Sequence, residues 1–208
     1  MKNWLTFICM CFALIGCNDA TDTTKDNSSA PVPILSAPGP EAFQAPVDYI
    51  PSALGPRSWQ ISSSIDMAQN YFDQGLQMRY AYSVDDAARS FREAYLADPN
   101  CAICYWGEAF ALGSFLNIPM TAEKAPYAHK SIEKAVALVE HASEMERDLI
   151  MAARDRYPAD YDTDNRRPVD EGFAERMKTV YEKYPEIDDV AIVYAMSLFL
   201  LEERRERR

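Results

Sequence analysis

Small residues placed around one phenylalanine constrain this chain more than any other feature. Gly75 lies in one apolar-periodic segment, and the next carries Ala87, Phe91 and Ala94 before Pro99 interrupts it. Small side chains at such positions let two helices approach closely, an aromatic ring fills the space that remains, and a proline cannot continue the helix. From Ile61 onward apolar residues recur at helical spacing, with prolines and short polar clusters between the segments. The spacing predicts helices near 63–82, 84–97, 101–113, 123–141, 143–157, 169–184 and 188–204, and no strand. The fold class is all-α, with the folded domain over 61–208.

The run Tyr71-x-x-Gln74-Gly75-x-x-Met78, then Ala87-x-x-x-Phe91-x-x-Ala94 and Pro99, resembles the tetratricopeptide repeat, with Gln74 where that repeat usually has leucine. Tyr105, Trp106, Ala109 and Leu112 begin a second, looser pair completed by Ala128, Ile132 and Ala135. Phe173, Met177, Val180 and Pro185 repeat the second-helix spacing, so the resemblance covers about residues 65–201. It implies a TPR-like helical repeat array, an α-solenoid whose surface binds a peptide or partner helix, and no enzyme. A non-repeat helical bundle is the alternative. The run from Asp98 through Cys101-Ala102-Ile103-Cys104-Tyr105-Trp106-Gly107 to Ala109, then Leu112-Gly113 and Asn117-x-Pro119-Met120, is similar to a group of exported bacterial tetratricopeptide proteins. That resemblance bears on fold and export. Tyr71, Tyr105 and Trp106 are the candidate peptide anchors.

The N-terminus reads as an address. Lys2 gives a basic start, Trp4 to Ile15 form an apolar run too short to span a bilayer, and Leu14-Ile15-Gly16-Cys17 resembles the lipobox of bacterial lipoproteins. The resemblance implies an acylated Cys17, with an ordinary cleaved signal as the alternative. Asn18 is not the aspartate linked to inner-membrane retention, which favours the outer membrane, facing the periplasm. Residues 18–60 lose periodicity and carry prolines at 31, 33, 38, 40, 46, 51 and 56. They predict a disordered tether, with Phe43, Tyr49, Ile50 and Trp59 as exceptions able to dock. A net charge of −11 repels phosphate backbones and anionic headgroups, so nucleic acid is an unsuitable partner and the membrane contact falls to the lipid on Cys17.

Four further readings follow from spacing. Cys101 and Cys104 form a Cys-x-x-Cys at a helix start, capped by Asp98 or Asn100; an oxidising compartment favours a structural disulfide, with a redox pair or a metal site as alternatives. C-type haem is rejected because Tyr105 stands where histidine is required. His129 and His141 have no partner at metal-binding spacing and receive no role. Asp160, Asp162, Asp164 and Glu171 have the spacing of an EF-hand calcium loop, against which stand Asn165 at the glycine position, Arg166, Arg167 and Pro168. No other cofactor is indicated. Finally, residues 187–201 carry two apolar stripes: Ile187, Ala191, Tyr194, Leu198 and Leu201, and beside it Val190, Val193 and Leu200. Two stripes with one preceding helix pair predict an array incomplete at its C-terminus, with Val193 and Leu200 accessible and available for self-association.

Overall fold

The computed structural model describes residues 43–50 and 55–202. The signal peptide and Cys17, residues 18–42 and 51–54 of the tether, and the charged end from 203 lie outside the described residues. Seven helices run in order: α1 (Asp66–Tyr80), α2 (Val84–Ala97), α3 (Ala102–Leu112), α4 (Ala125–Ala137), α5 (Glu144–Ala153), α6 (Arg167–Lys183) and α7 (Asp188–Phe199). Short 3-10 turns follow α4 and α5. Among the described residues the protein is all-α; extended pairing is limited to one isolated bridge between Phe115 and Ile118. No helix among them is long and apolar enough to cross a membrane.

Each helix packs chiefly on its chain neighbours: α1 on α2, α2 on α3, α3 on α4, α5 on α6, and α6 on α7. The core is organised around Phe91, which is fully buried. A Cβ added at Gly75 of α1 would lie 3.0 Å from the Phe91 ring, and one added at Gly107 of α3 only 2.3 Å from it. The two glycines therefore open the space on α1 and α3 that one α2 ring occupies, in edge contact with Phe72 at 5.3 Å. Gly75 was legible in the repeat spacing. Gly107, the tighter of the two, was not singled out.

Local chemistry ends and starts the helices. The best-formed start is that of α5, where Ser143 accepts from the Glu146 amide while the Glu146 carboxylate takes the Ser143 amide, a reciprocal capping box. At α3 the expectation of a cap from Asp98 or Asn100 does not hold. Cys101 is the N-cap and no side chain bonds there. Asp98 is instead used by the turn before it, accepting from the Asn100 amide at 3.1 Å and from the Ser63 hydroxyl at 2.6 Å.

The last helix departs from expectation. Val190 and Val193 are fully buried and Leu200 nearly so, while Leu198 and Phe199 are 44% and 43% exposed. The predicted accessible stripe is thus the one turned inward. Asp189, one residue before that stripe, accepts from the Arg57 guanidinium at 2.7 Å and the Tyr80 hydroxyl at 3.0 Å. That clasp ties the first turn of α7 to the end of α1, while α7 packs chiefly on α6.

Candidate functional site

The segment read as a proline-rich tether supplies the most informative surface. Phe43 is buried, its ring in edge contact with Tyr127 of α4 at 5.1 Å and 5.8 Å from the Lys124 ammonium. Beyond it the backbone is held by side chains of α1 and α2. Arg89 donates from Nε to the Ala45 carbonyl at 2.9 Å and from Nη2 to that of Pro46. The Tyr71 hydroxyl donates to the Val47 carbonyl at 3.2 Å. Gln74 makes two bonds at once: its Nε2 donates to the Asp48 carbonyl at 3.0 Å and its Oε1 accepts the Ile50 amide at 2.8 Å.

Gln74 is the departure from the repeat pattern, and its geometry explains it. It is buried, and its Nε2 also reaches the Ser90 hydroxyl at 3.1 Å. A leucine there would leave the Asp48 carbonyl and the Ile50 amide without these partners. Further along, Asp73 accepts the Trp59 amide at 2.9 Å, Gln69 Nε2 donates to the Trp59 carbonyl at 2.9 Å, and Gln77 Nε2 donates to the Arg57 carbonyl at 2.9 Å. Gln69, Asp73 and Gln77 are four residues apart and so lie on one face of α1. Almost every contact in the groove reads main-chain groups, which every residue type offers. Proline is also accepted, because Pro46 is used only through its carbonyl.

Of the anchors expected from sequence, Tyr71 lines this groove, in edge contact with Tyr49 at 5.7 Å. Tyr105 is half-buried and stacked on Tyr95 at 4.1 Å. Trp106 is 1% exposed, stacked on Phe110 at 4.9 Å and edge-on to Trp59, so it is a core residue and cannot present a ring to a ligand. Trp59, expected as a docking residue, is itself buried, whereas Ile50 is exposed. Arg89 was missed by sequence reasoning, and Gln74 was noted only as a departure from the tetratricopeptide pattern; the signal was an amide where that resemblance expects leucine.

No family model, curated protein or solved structure matches this chain.

The other candidates sit apart from the groove. Cys101 and Cys104 form a disulfide with Cα atoms 5.3 Å apart. It borders an open cavity of about 270 Å³ lined by Ser62, Ser63, Asp98, His141 and Glu146. Both cysteines are buried, Cys104 completely, so exchange with a second thiol would require the start of α3 to open. His129 donates from Nδ1 to the Tyr157 carbonyl at 2.8 Å. The proposed calcium ligands are not brought together. Asp162 holds its own turn by accepting the Asp164 amide, and Glu171 lies on α6 paired with Arg167 at 2.6 Å. Among the described residues no three acidic, histidine or cysteine side chains converge in a way that could hold a metal ion.

One buried acid stands between α3 and its neighbours. Glu108 is 6% exposed and accepts from Ser131 of α4 and, at 3.4 Å, from Tyr95 of α2. Burial pushes its carboxyl up, against the opposing pull of those hydrogen bonds and of Arg92 and Lys130. The folded state therefore binds more protons than the unfolded chain from the ordinary glutamate range up to the raised value. Since the slope of stability with pH follows unfolded minus folded proton uptake, stability falls as pH rises through that window, by up to about 1.4 kcal/mol per pH unit. Glu108→Gln should remove this contribution. Urea unfolding of the two proteins across that window should give a flatter profile for the variant and a stability gap in its favour that widens with pH.

Proposed function

We propose that this protein is a lipid-anchored, tetratricopeptide-like scaffold of the bacterial cell envelope that binds extended peptide segments. The observation that carries this reading is the groove between α1 and α2, which already holds residues 45–50 by side chains directed at the main chain. That is how a helical surface takes up a partner strand without demanding a particular sequence. The neighbour-to-neighbour packing of the helices and the Phe91 wedge between Gly75 and Gly107 support a stacked-pair array over a generic bundle. The intrachain segment stands in for the ligand: an aromatic side chain for the Phe43 pocket, then several residues of free main chain.

The reading is tested with the full chain carrying Phe43→Ala, which removes the only fully buried side chain among residues 43–50. A labelled peptide with the sequence of residues 42–50 should bind this variant in the micromolar range and the unaltered protein much more weakly, because the intrachain copy competes at high effective concentration. Adding Gln74→Ala should abolish binding while circular dichroism remains helical. Absence of binding to the Phe43→Ala protein would make the segment a permanent part of the fold and end the proposal.

Anchoring rests on the Leu14-Ile15-Gly16-Cys17 resemblance. Cys17→Ala, with export intact, should move the protein from the carbonate-washed membrane fraction to the soluble fraction. Retention in the membrane would remove the lipoprotein reading. Self-association through 187–201, if it occurs, would have to use the exposed Leu198 and Phe199 side of α7, since Val193 and Leu200 are enclosed.

A further inference from the structure

The segment Leu112-Gly113 to Asn117-x-Pro119-Met120 takes no part in the peptide groove. It encloses Arg79, the last-turn arginine of α1, which is fully buried. Arg79 Nη2 donates to the Gly113 carbonyl at 3.1 Å, while Nε and Nη1 find no acceptor. Around it lie a second arginine, Arg156, and the phenols of Tyr157, Tyr80 and Tyr82, and the guanidinium also faces the rings of Phe110 at 5.2 Å and Phe115. Arg156 is also buried, donating to the Ser114 carbonyl at 2.7 Å and to the Tyr157 hydroxyl at 3.2 Å. Asp189, which bonds Tyr80, also pairs with Arg57, and Asp170 pairs with Arg166.

A buried cation without a counter-ion is costly, and a second cation beside it raises that cost. The cover over Arg79 is a small self-contained turn. Phe115 and Ile118 exchange both backbone hydrogen bonds, and the Phe115 ring lies 3.9 Å from the Arg79 guanidinium carbon. The Tyr82 ring packs on Phe115 at 5.0 Å. Tyr82 and Leu116 both have left-handed backbones, φ 67° and 43°, without being glycine. Such conformations are disfavoured for large side chains and recur where segments clamp ligands. Here both occur in the two loops closing over a guanidinium with two unbonded nitrogens.

We propose that Arg79, with Arg156 supplying a second positive charge, is the floor of an oxyanion-binding site that the Phe115–Ile118 turn closes. The ligand chemistry is a carboxylate or phosphate small enough to lie under that turn and accept from Nε and Nη1 of Arg79. Tyr82 and Phe115 are the side chains that must part to admit it. The site is distinct from the main-chain groove and stands whether or not that groove binds peptides.

The test uses the full chain with sodium phosphate, sodium acetate and sodium chloride at matched ionic strength, reading thermal midpoint and the Arg79 Nε–H resonance. Phosphate or acetate, but not chloride, should raise the midpoint saturably and shift that resonance; which of the two acts identifies the anion. Phe115→Ala, which opens the cover and keeps Arg79, should bind the same anion more tightly or faster. Arg79→Met should weaken binding at least about tenfold. Should Arg79→Met fail to fold, the Phe115→Ala protein and the resonance shift decide. Absence of a saturable effect with either anion in both the unaltered and Phe115→Ala proteins overturns the proposal. A response that survives Arg79→Met overturns it equally.

Discussion

Phe91→Ala should cost about 3–5 kcal/mol, the range for deleting a fully buried aromatic ring, and is expected to be among the most damaging single truncations in the domain. The ring, carried by α2, packs on α1 and α3 at once, so its loss leaves a void between the three helices that none can fill alone. The converse change is equally informative. Gly107→Ala would place a methyl group 2.3 Å from the ring, well inside contact distance, with both groups enclosed in the core. Overpacking of this kind costs about 1–3 kcal/mol or more. Because the methyl group and the ring compete for one space, the two changes must couple. In a Phe91→Leu background Gly107→Ala should cost far less than in the unaltered protein. Urea denaturation of the four proteins measures the coupling, and additive costs would show that the wedge does not set the helix spacing.

Glu146→Ala should be the second large effect, on the order of 2–4 kcal/mol, through the hydrogen bonds it leaves unmade. Glu146 is 1% exposed and its carboxylate accepts the amides of Ser62 and Ser143, each at 2.8 Å, as well as the Ser62 hydroxyl. One carboxylate therefore caps α5 and pins the segment that leads into α1. Its removal should expose the chain around residue 62 to limited proteolysis and fray the first turn of α5 together. Glu146→Gln, which keeps an acceptor oxygen, should recover part of the loss. If proteolysis near residue 62 is unchanged in Glu146→Ala, the two elements are held together by other contacts.

The helices were legible because a period of 3.6 residues is a property of the chain itself, and all seven predicted segments overlap observed ones. Their ends were read too generously wherever a short 3-10 turn follows a helix, as at Val139–His141 and Arg154–Arg156. The groove was hidden for a different reason. Its chemistry is a match between Gln74, Arg89 and Tyr71 on helices and peptide groups at 45–50, and peptide groups carry no sequence signal. The only trace was a glutamine in the place of leucine. Burial of the Val190 and Val193 stripe was likewise hidden, because periodicity gives α7 two apolar stripes and does not say which of them faces the rest of the fold. Arg79 was passed over since an arginine near a helix end ordinarily meets solvent and the helix dipole; its enclosure by Phe115 is a tertiary fact.

The clasp of Asp189 on Arg57 and Tyr80 also changes the folding kinetics expected of such a chain. A stack in which every helix meets only its neighbours behaves like a one-dimensional lattice: it can nucleate anywhere, grow stepwise and fray from either end. A contact between the first helix and the last adds a boundary condition to that lattice. The chain must close a very long loop before the contact forms, which delays completion of folding. Once closed, fraying of the first turn of α7 must also break the Asp189 bonds to Tyr80 and Arg57, so opening at one end is coupled to the other through that single residue.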